Sequence, residues 1–284
     1  MILYKYFHPT RRNFFQDMLV RFTQPSQFND PFDCCPQFQG SYKPEFYDQL
    51  LKKGEAAIRE TRHFDLLPPG KKKLMEDQMT EIRVRKLKEY TTNPEIAQGI
   101  HLNLLVEKIS REIGIFCLSK CPDSVTMWSH YADEHRGFVV GFDTETEFFS
   151  KRPAELGEIG ELRKVEYSNI RPAVILPFSD ESPEVDFLFT KDLQWELEQE
   201  WRILRFLKDA DAQSIIDRSV YLFNVPPDSI KNVIFGSRAD TTKEPLIRSA
   251  LKIILNNPDL RHIQIQKAVL STSAYALKIR DFPF

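Results

Sequence analysis

Gly137-Phe138-Val139-Val140-Gly141-Phe142-Asp143 is the stretch on which the fold turns. Its apolar run stands between a glycine and an aspartate, and no polar residue marks a solvent face. It therefore reads as a strand buried on both sides. Similar β-prone runs precede it at Ile2–Tyr6, Leu19–Thr23 and Gly114–Leu118. Others follow at Val165–Tyr167, Arg202–Phe206, Val220–Val225, Val233–Phe235, His262–Val269 and Ala274–Ile279. From Pro44 to Glu112 the pattern changes. Phe46, Leu50, Leu51, Ala57, Ile58, Leu74, Met79, Ile82, Leu87, Ile100, Leu104, Leu105 and Ile109 recur at three-and-four spacing among long charged residues. That predicts about three amphipathic helices, broken at Pro68-Pro69-Gly70 and Asn93-Pro94. A short helix is expected near Asn13–Met18, a helix or turn at Met127–Ala132, and a helix through about Leu255 opened by the capping box Thr241-x-x-Glu244. The expectation is a single α+β domain over residues 1–284: a mixed, mostly antiparallel sheet, helices packed on one side, and a helical insertion at about 44–112.

Composition narrows the function. The 284 residues carry 39 basic and 41 acidic side chains, a net charge of −2, which disfavours a strongly basic nucleic-acid binder or an acidic tail at whole-chain level. No apolar run reaches the roughly 18 residues that span a bilayer. The opening apolar stretch is too short for a secretory signal, and its basic residues follow rather than precede it. Four cysteines do not make a disulfide scaffold. A soluble, cytoplasmic protein without a membrane partner is expected. The 10 glycines form neither G-x-G-x-x-G nor G-x-x-x-x-G-K, which argues against a Rossmann dehydrogenase, a P-loop ATPase and a kinase. The 22 phenylalanines point to an aromatic core.

Four constellations carry candidate chemistry. In Trp195-Glu196-Leu197-Glu198-Gln199-Glu200-Trp201-Arg202-Ile203, an extended chain puts Glu196, Glu198, Glu200 and Arg202 on one face. Like charges repel there, so a cleft with Arg202 as counter-ion would use them for acid–base work or ribose hydroxyls. The structural alternative is a solvent-facing helix end with Glu200 paired to Arg202. In Met127-Trp128-Ser129-His130-Tyr131-Ala132, His130 and Tyr131 suit positioning or protonating a ligand, and Trp128 suits stacking; an aromatic corner is the alternative. Cys117, Cys121, His130 and His135 have loosely zinc-like spacing without a knuckle sequence, and no metal is expected. Cys34 and Cys35 read as buried free thiols. Lys71, Lys72, Lys73, Arg83, Arg85, Lys86 and Lys88 are interleaved with Glu76, Asp77, Glu81 and Glu89, a salt-bridged face rather than a nucleic-acid groove. The turn Phe28-Asn29-Asp30-Pro31-Phe32 is expected to be anchored in the core by both phenylalanines.

Several of these pieces resemble a bacterial domain-of-unknown-function family, number 2971: Leu3–Tyr6, Phe28–Asp33, Phe116–Ser119, Met127–Ala132, Gly137–Asp143 and Trp195-x-x-Glu198-x-Glu200-Trp201-Arg202. The resemblance implies a link with mobile or defence-type genes, including phage defence and toxins. A weaker resemblance, an opening L-Y-x-Y strand, a strand with a Thr/Ser-Pro turn and a late E-x-E, is to ADP-ribosyltransferases. It implies NAD as substrate, gripped by Lys5 or Tyr6, with Tyr131 or Trp128 stacking on nicotinamide. Glu200 would bond the ribose, and Glu198 would prepare an acceptor. No histidine or arginine stands in place of Lys5, and no S-T-S triplet follows. Asn29, Asp30 and Arg202 complete the expected nucleotide-contacting set beside the catalytic candidates Glu200, Glu198 and His130. Two alternatives stay open: a nucleic-acid-directed effector using Glu198, Glu200, Asp30 and His130, and a non-enzymatic sensor binding a nucleotide or protein.

Overall fold

The computed structural model describes residues 1–40, 42–150, 159–176, 185–215, 219–239 and 245–282. The chain opens with β1 (Ile2–Phe7), α1 (Phe14–Asp17), β2 (Leu19–Phe22) and β3 (Gln37–Gln39). The helices α2 (Pro44–Arg59), α3 (Arg62–Asp65), α4 (Pro69–Thr92) and α5 (Pro94–Glu112) follow. Each of α2, α4 and α5 begins on a proline, whose missing N–H costs nothing at a first helical position. Next come β4 (Ile113–Ser119), α6 (Val125–Tyr131), β5 (Phe138–Asp143), α7 (Glu147–Ser150), β6 (Arg163–Lys164), β7 (Glu166–Ser168) and β8 (Ala173–Ile175). The chain continues through β9 (Thr190–Asp192), β10 (Glu200–Phe206), β11 (Ala212–Ile215), β12 (Ser219–Asn224) and β13 (Ile230–Phe235). It closes with α8 (Pro245–Asn256), β14 (Gln264–Leu270) and β15 (Leu277–Asp281). The expected capping box Thr241-x-x-Glu244 lies outside the described residues.

Two compact units result: Met1–Cys34, Lys108–Ile170 and Phe189–Phe284 form the first, Cys35–Glu107 and Arg171–Leu188 the second. The first is built on an eight-stranded sheet in the order β15-β14-β13-β5-β1-β4-β10-β6. All its pairings are antiparallel except β13 with β14, so the fold is α+β with a mixed, mostly antiparallel sheet. The run Phe138–Phe142 is buried at every residue. Alternate residues feed two cores. Val140, Phe142, Val233 and Phe235 join Phe7, Phe14, Phe15, Phe22, Phe116 and the α8 residues Ile247, Ala250 and Ile254. Val139 and Ile234 join Tyr6, Ala268 and the α6 residues Met127 and Trp128.

One junction of this sheet is different. β1 pairs with β5 at six positions, and β4 with β10 at seven, but β1 and β4 meet only at Tyr4 and Ser119. Four residues back, Ile115 exchanges both backbone hydrogen bonds with Thr23, just past β2, at 2.8 Å each. β4 thus changes partner along its length, from β1 to the β11-β12-β2 sheet, and Cys117 sits at the fork. Gly114 permits the switch: a Cβ there would lie 2.8 Å from Phe22 Cβ. The Cys117 carbonyl, left without a strand partner, accepts from Lys5 Nζ at 2.9 Å.

In the second unit, Tyr47, Phe64, Met79 and Ala97 are buried, and β3 pairs in parallel with β8. The helices fall where the prolines predicted, but α4 is not amphipathic as expected. Leu74, Ile82 and Val84 are exposed, and of its residues only Met79 is fully buried. Within the basic run, Arg83 pairs with Asp48 and Glu55, and Lys86 with Glu89. Among the described residues, no helix is long and apolar enough to cross a membrane.

Candidate functional site

A cleft of about 360 Å³ opens at the β1/β4 fork, and every residue lining it belongs to the first unit. Tyr4, Lys5 and Tyr6 come from β1, Arg21 and Thr23 from the β2 region, and Cys117, Leu118 and Ser119 from β4. The segment after β2 adds Gln27, Phe28, Asn29 and Asp33; α6 adds Met127, His130 and Tyr131. Lys191, Glu198 and Glu200 complete the lining.

The glutamates are delivered by a break in the chain, not by one strand. Leu193–Glu198 form a short 3₁₀ turn, Gln199 adopts a left-handed conformation (φ 44°), and β10 begins at Glu200. The expected extended stretch from Trp195 is therefore absent. Glu196 and Leu197 are exposed, because the turn takes them off the β10 faces. The kink brings Glu198 and Glu200 together at one cation. Lys191 Nζ donates to Glu198 Oε2 at 2.5 Å and to Glu200 Oε2 at 3.0 Å, and lies 3.9 Å from Asp33 Oδ2. Arg202, with no exposed surface, grips Asp33 with both terminal nitrogens at 2.9 and 2.8 Å. The same guanidinium donates to Glu200 through Nε at 2.8 Å and through Nη2 at 3.2 Å. Tyr131 Oη donates to Glu198 Oε1 at 2.7 Å, and the Glu200 backbone N–H donates to Tyr167 Oη at 2.7 Å. Ser119 Oγ holds the Glu198 carbonyl at 2.6 Å.

Charges this deep survive only when paired and hydrogen-bonded. Burial alone would push the Glu200 carboxyl up, but Arg202 and then Lys191 outweigh it and hold it well below the usual carboxylate range. Burial likewise pulls Lys191 down, and Glu200, Glu198 and Asp33 more than reverse it. Burial, followed by the Glu198 charge, raises Tyr131, so its hydroxyl remains a donor. Tyr167 is pushed up to about 12, chiefly by burial. The Cys117 thiol rises for the same reason and then because Glu200 is beside it, which keeps it out of the reactive thiolate form at neutral pH. Three carboxylates against two cations leave the contacting network with one net negative charge, facing a cleft that also holds Tyr4, Tyr6, Phe28 and Tyr131.

Of the residues singled out in the sequence, Lys5, Tyr6, Asn29, His130, Tyr131, Glu198 and Glu200 line this cleft. His130 and Asn29 are exposed. Arg202 lies behind it and acts through Asp33 and Glu200. Trp128 is a core residue: it is wholly buried, donates to the Pro122 carbonyl at 2.9 Å and meets Tyr6 edge-on. Asp30 does not line the cleft; its Oδ1 accepts from the Phe32 N–H at 2.9 Å and closes the turn. Phe28 lies under the Arg202 guanidinium (5.5 Å), but Phe32 is 65% exposed and anchors nothing. Cys34 is buried and Cys35 half-buried, and neither is in a disulfide. Among the described residues, no group of three or more His, Cys, Asp and Glu side chains stands where it would hold a metal ion.

Sequence reasoning missed Lys191, Asp33 and Tyr167. Asp33 sat inside a recognised motif, with Pro31 two residues before it. Lys191 and Tyr167 carried no signal, because their importance comes from long-range placement.

The family model described as a protein of unknown function (DUF2971) matches residues 127–203, which supports the resemblance read from the motifs. That span takes in α6 from Met127 on, Lys191, Glu198, Glu200 and Arg202; Leu3–Tyr6, Phe28–Asp33 and Phe116–Ser119 lie outside it. No curated protein and no solved structure matches the chain.

Proposed function

We propose that the cleft binds NAD and cleaves its nicotinamide–ribose bond, transferring ADP-ribose to an acceptor or to water. The observation that carries this reading is the net negative, aromatic-flanked carboxylate network at the base of a cleft that also presents Lys5 and Arg21. NAD has the matching polarity. Its pyridinium is a flat cation suited to tyrosine rings beside a carboxylate, its ribose hydroxyls donate to carboxylates, and its diphosphate calls for lysine or arginine.

The chemistry follows from the network. As the bond from ribose C1′ to the ring nitrogen lengthens, the electron pair moves onto nicotinamide, which leaves neutral. Positive charge grows on the ribose, as in glycoside cleavage. Glu200, held ionised by Arg202 and Lys191, accepts from a ribose hydroxyl and stabilises that charge without waiting for protein or solvent to reorganise. The acceptor's lone pair then bonds C1′, and its proton passes to Glu198 and on to solvent. Tyr131 fixes the Glu198 carboxylate through its hydroxyl.

The test is nicotinamide release from NAD by the purified protein, followed by chromatography, with calorimetric NAD binding alongside. Turnover that falls roughly 100-fold or more in Glu200→Gln, with binding retained, is the expected result. Binding without turnover in the unmodified protein would make the cleft a sensor. Neither binding nor turnover would sink the NAD reading.

A further inference from the structure

The eight-stranded sheet ends on β15, and among the described residues no strand pairs with its outer side. The register shows which backbone groups stand there. β15 runs antiparallel to β14, with Ala268 opposite Ile279. Phe282 N–H donates to the Ile265 carbonyl at 2.9 Å, and Ser271 N–H to the Ala276 carbonyl at 2.9 Å. Hydrogen-bonded positions alternate along an antiparallel pair, so Lys278 and Arg280 also spend their amides and carbonyls on β14. Leu277, Ile279 and Asp281 therefore turn theirs outward, as a template for another extended chain.

The side chains of this edge carry an imbalance of charge. Lys267 of β14 stands directly opposite Arg280, and Val269 opposite Lys278, so Lys267, Lys278 and Arg280 share one face of the two strands. Like charges directly opposed on neighbouring strands are destabilising. Lys278 and Arg280 are exposed, and Lys267 is half-buried with only the neutral Ala239 carbonyl as acceptor, at 3.2 Å. Among the described residues, no carboxylate pairs with any of the three. Asp281, the one acid between Gln264 and Phe282, sits on the other face, where its Oδ1 accepts from Gln264 and Gln266 Nε2 at 2.7 and 3.3 Å. Charge on an edge strand can serve simply to repel other strands. Lys267 is on the inner strand, where that purpose does not apply.

A chain laid along β15 meets two demands at once. The residue opposite Ile279 exchanges backbone hydrogen bonds with it and sets its side chain beside Ile279, which packs with Ala268 and Leu277. The residues before and after it fall opposite Lys278 and Arg280, on the cationic face. A second copy of β15 is disfavoured there, because antiparallel pairing about Ile279 sets Lys278 against Arg280. We propose that β15 is a docking edge for an extended acidic segment of another protein, of acid–apolar–acid pattern, which adds a strand to the sheet. β15 lies four strands from β1, roughly 19 Å at about 4.8 Å per strand, so the proposal is independent of the NAD reading of the cleft.

The experiment is an NMR titration of the ¹⁵N-labelled full chain, reading the Ile279 amide, with the end-capped peptide Thr-Glu-Val-Glu-Thr. Three ligands serve as comparisons: Thr-Lys-Val-Lys-Thr, the acidic peptide N-methylated at valine, and oligodeoxythymidine. The acidic peptide should move Ile279 saturably. The basic peptide reverses the charges, and the N-methylated one keeps them but loses the amide that would donate to the Ile279 carbonyl; each should bind at least tenfold more weakly. Lys278→Glu combined with Arg280→Glu should invert the preference between acidic and basic peptides, with a melting curve to check that this surface variant is folded. An unmoved Ile279 signal at millimolar acidic peptide overturns the proposal. Equal binding of the N-methylated peptide does so as well, since charge alone would then account for it, and so does oligodeoxythymidine binding in place of the peptide.

Discussion

The protein contains two ion networks of similar composition and opposite character. In the helical unit, Arg83 of α4 joins Asp48 and Glu55 of α2 at 2.9 and 3.0 Å, and Lys52 and Arg59 add pairs one helical turn away. In the cleft, Arg202 and Lys191 join Asp33, Glu198 and Glu200 over similar distances. The first network keeps contact with water: its side chains retain between 11 and 57% of their exposure. The second retains 8% or less at every member. Water screens the first, so each pair adds little. The second has no water to fall back on, so each member is held by the others, and the loss of one strands the rest. Equal geometry therefore does not mean equal consequence.

The largest effect expected is on Arg202. Arg202→Met leaves three buried carboxylates facing one lysine and should cost about 3–5 kcal/mol in a denaturant titration at neutral pH. Arg83→Met should shift the same titration far less, and an equal shift for the two would erase the distinction drawn here. Tyr131→Phe removes one hydroxyl from the Glu198 carboxylate while keeping the ring. It should cost about 1.5–3 kcal/mol and reduce nicotinamide release without abolishing NAD binding, as measured by melting and turnover together.

Acid separates the networks by degree. The Glu200 carboxyl is depressed in the folded state, so its contribution is complete above its unfolded value of 4.5 and is lost as pH falls below that, while the unfolded chain takes up the proton first. Lys191 is raised, so its contribution is complete below 10.5 and fades as pH climbs past it. The contribution of this pair should be flat between those limits. Asp48 is also depressed, through its bonds to Lys52 and Arg83. Glu200→Gln should therefore flatten the acid limb of a stability–pH curve more than Asp48→Asn does, and the reverse order would count against a tightly held Glu200. The smallest effect is salt. Raising ionic strength from about 0.05 to 1 M should weaken the Arg83 network measurably and leave the Arg202 network nearly unchanged. Melting curves of each variant against the unmodified protein at both salts would show it.

The comparison also explains what was legible in the residues. Strands such as Phe138–Asp143 and Ile113–Ser119 are continuous apolar runs, and helix starts at Pro44, Pro69 and Pro94 are punctuated by residues that can do little else there. Glu198, Glu200, Tyr131 and Lys5 stood out because polar residues flank or interrupt apolar runs, a local anomaly. The mistakes were local extrapolations. Extending β periodicity back to Trp195 put Glu196 with the other glutamates, although the left-handed Gln199 ends that pattern. Reading the Trp128 ring as a stacking platform ignored that its N–H has a backbone partner within the turn. Amphipathic spacing on α4 promised burial for Leu74 and Ile82 that the packing does not provide.

By itself the sequence determined the α+β class, the helical stretch at 44–112, the absence of glycine phosphate cradles and seven of the side chains that line the cleft. These follow from hydrophobic periodicity and backbone chemistry, which act over a few residues. The tertiary structure decided that β4 leaves β1 for Thr23, that the resulting fork is a cleft, and that Lys191 and Asp33 join glutamates distant in sequence. It also set His101 of α5 against Tyr47 of α2 and Tyr42 just before that helix. Those outcomes depend on strand register and on desolvation, and neither exists until segments far apart in the chain have packed together.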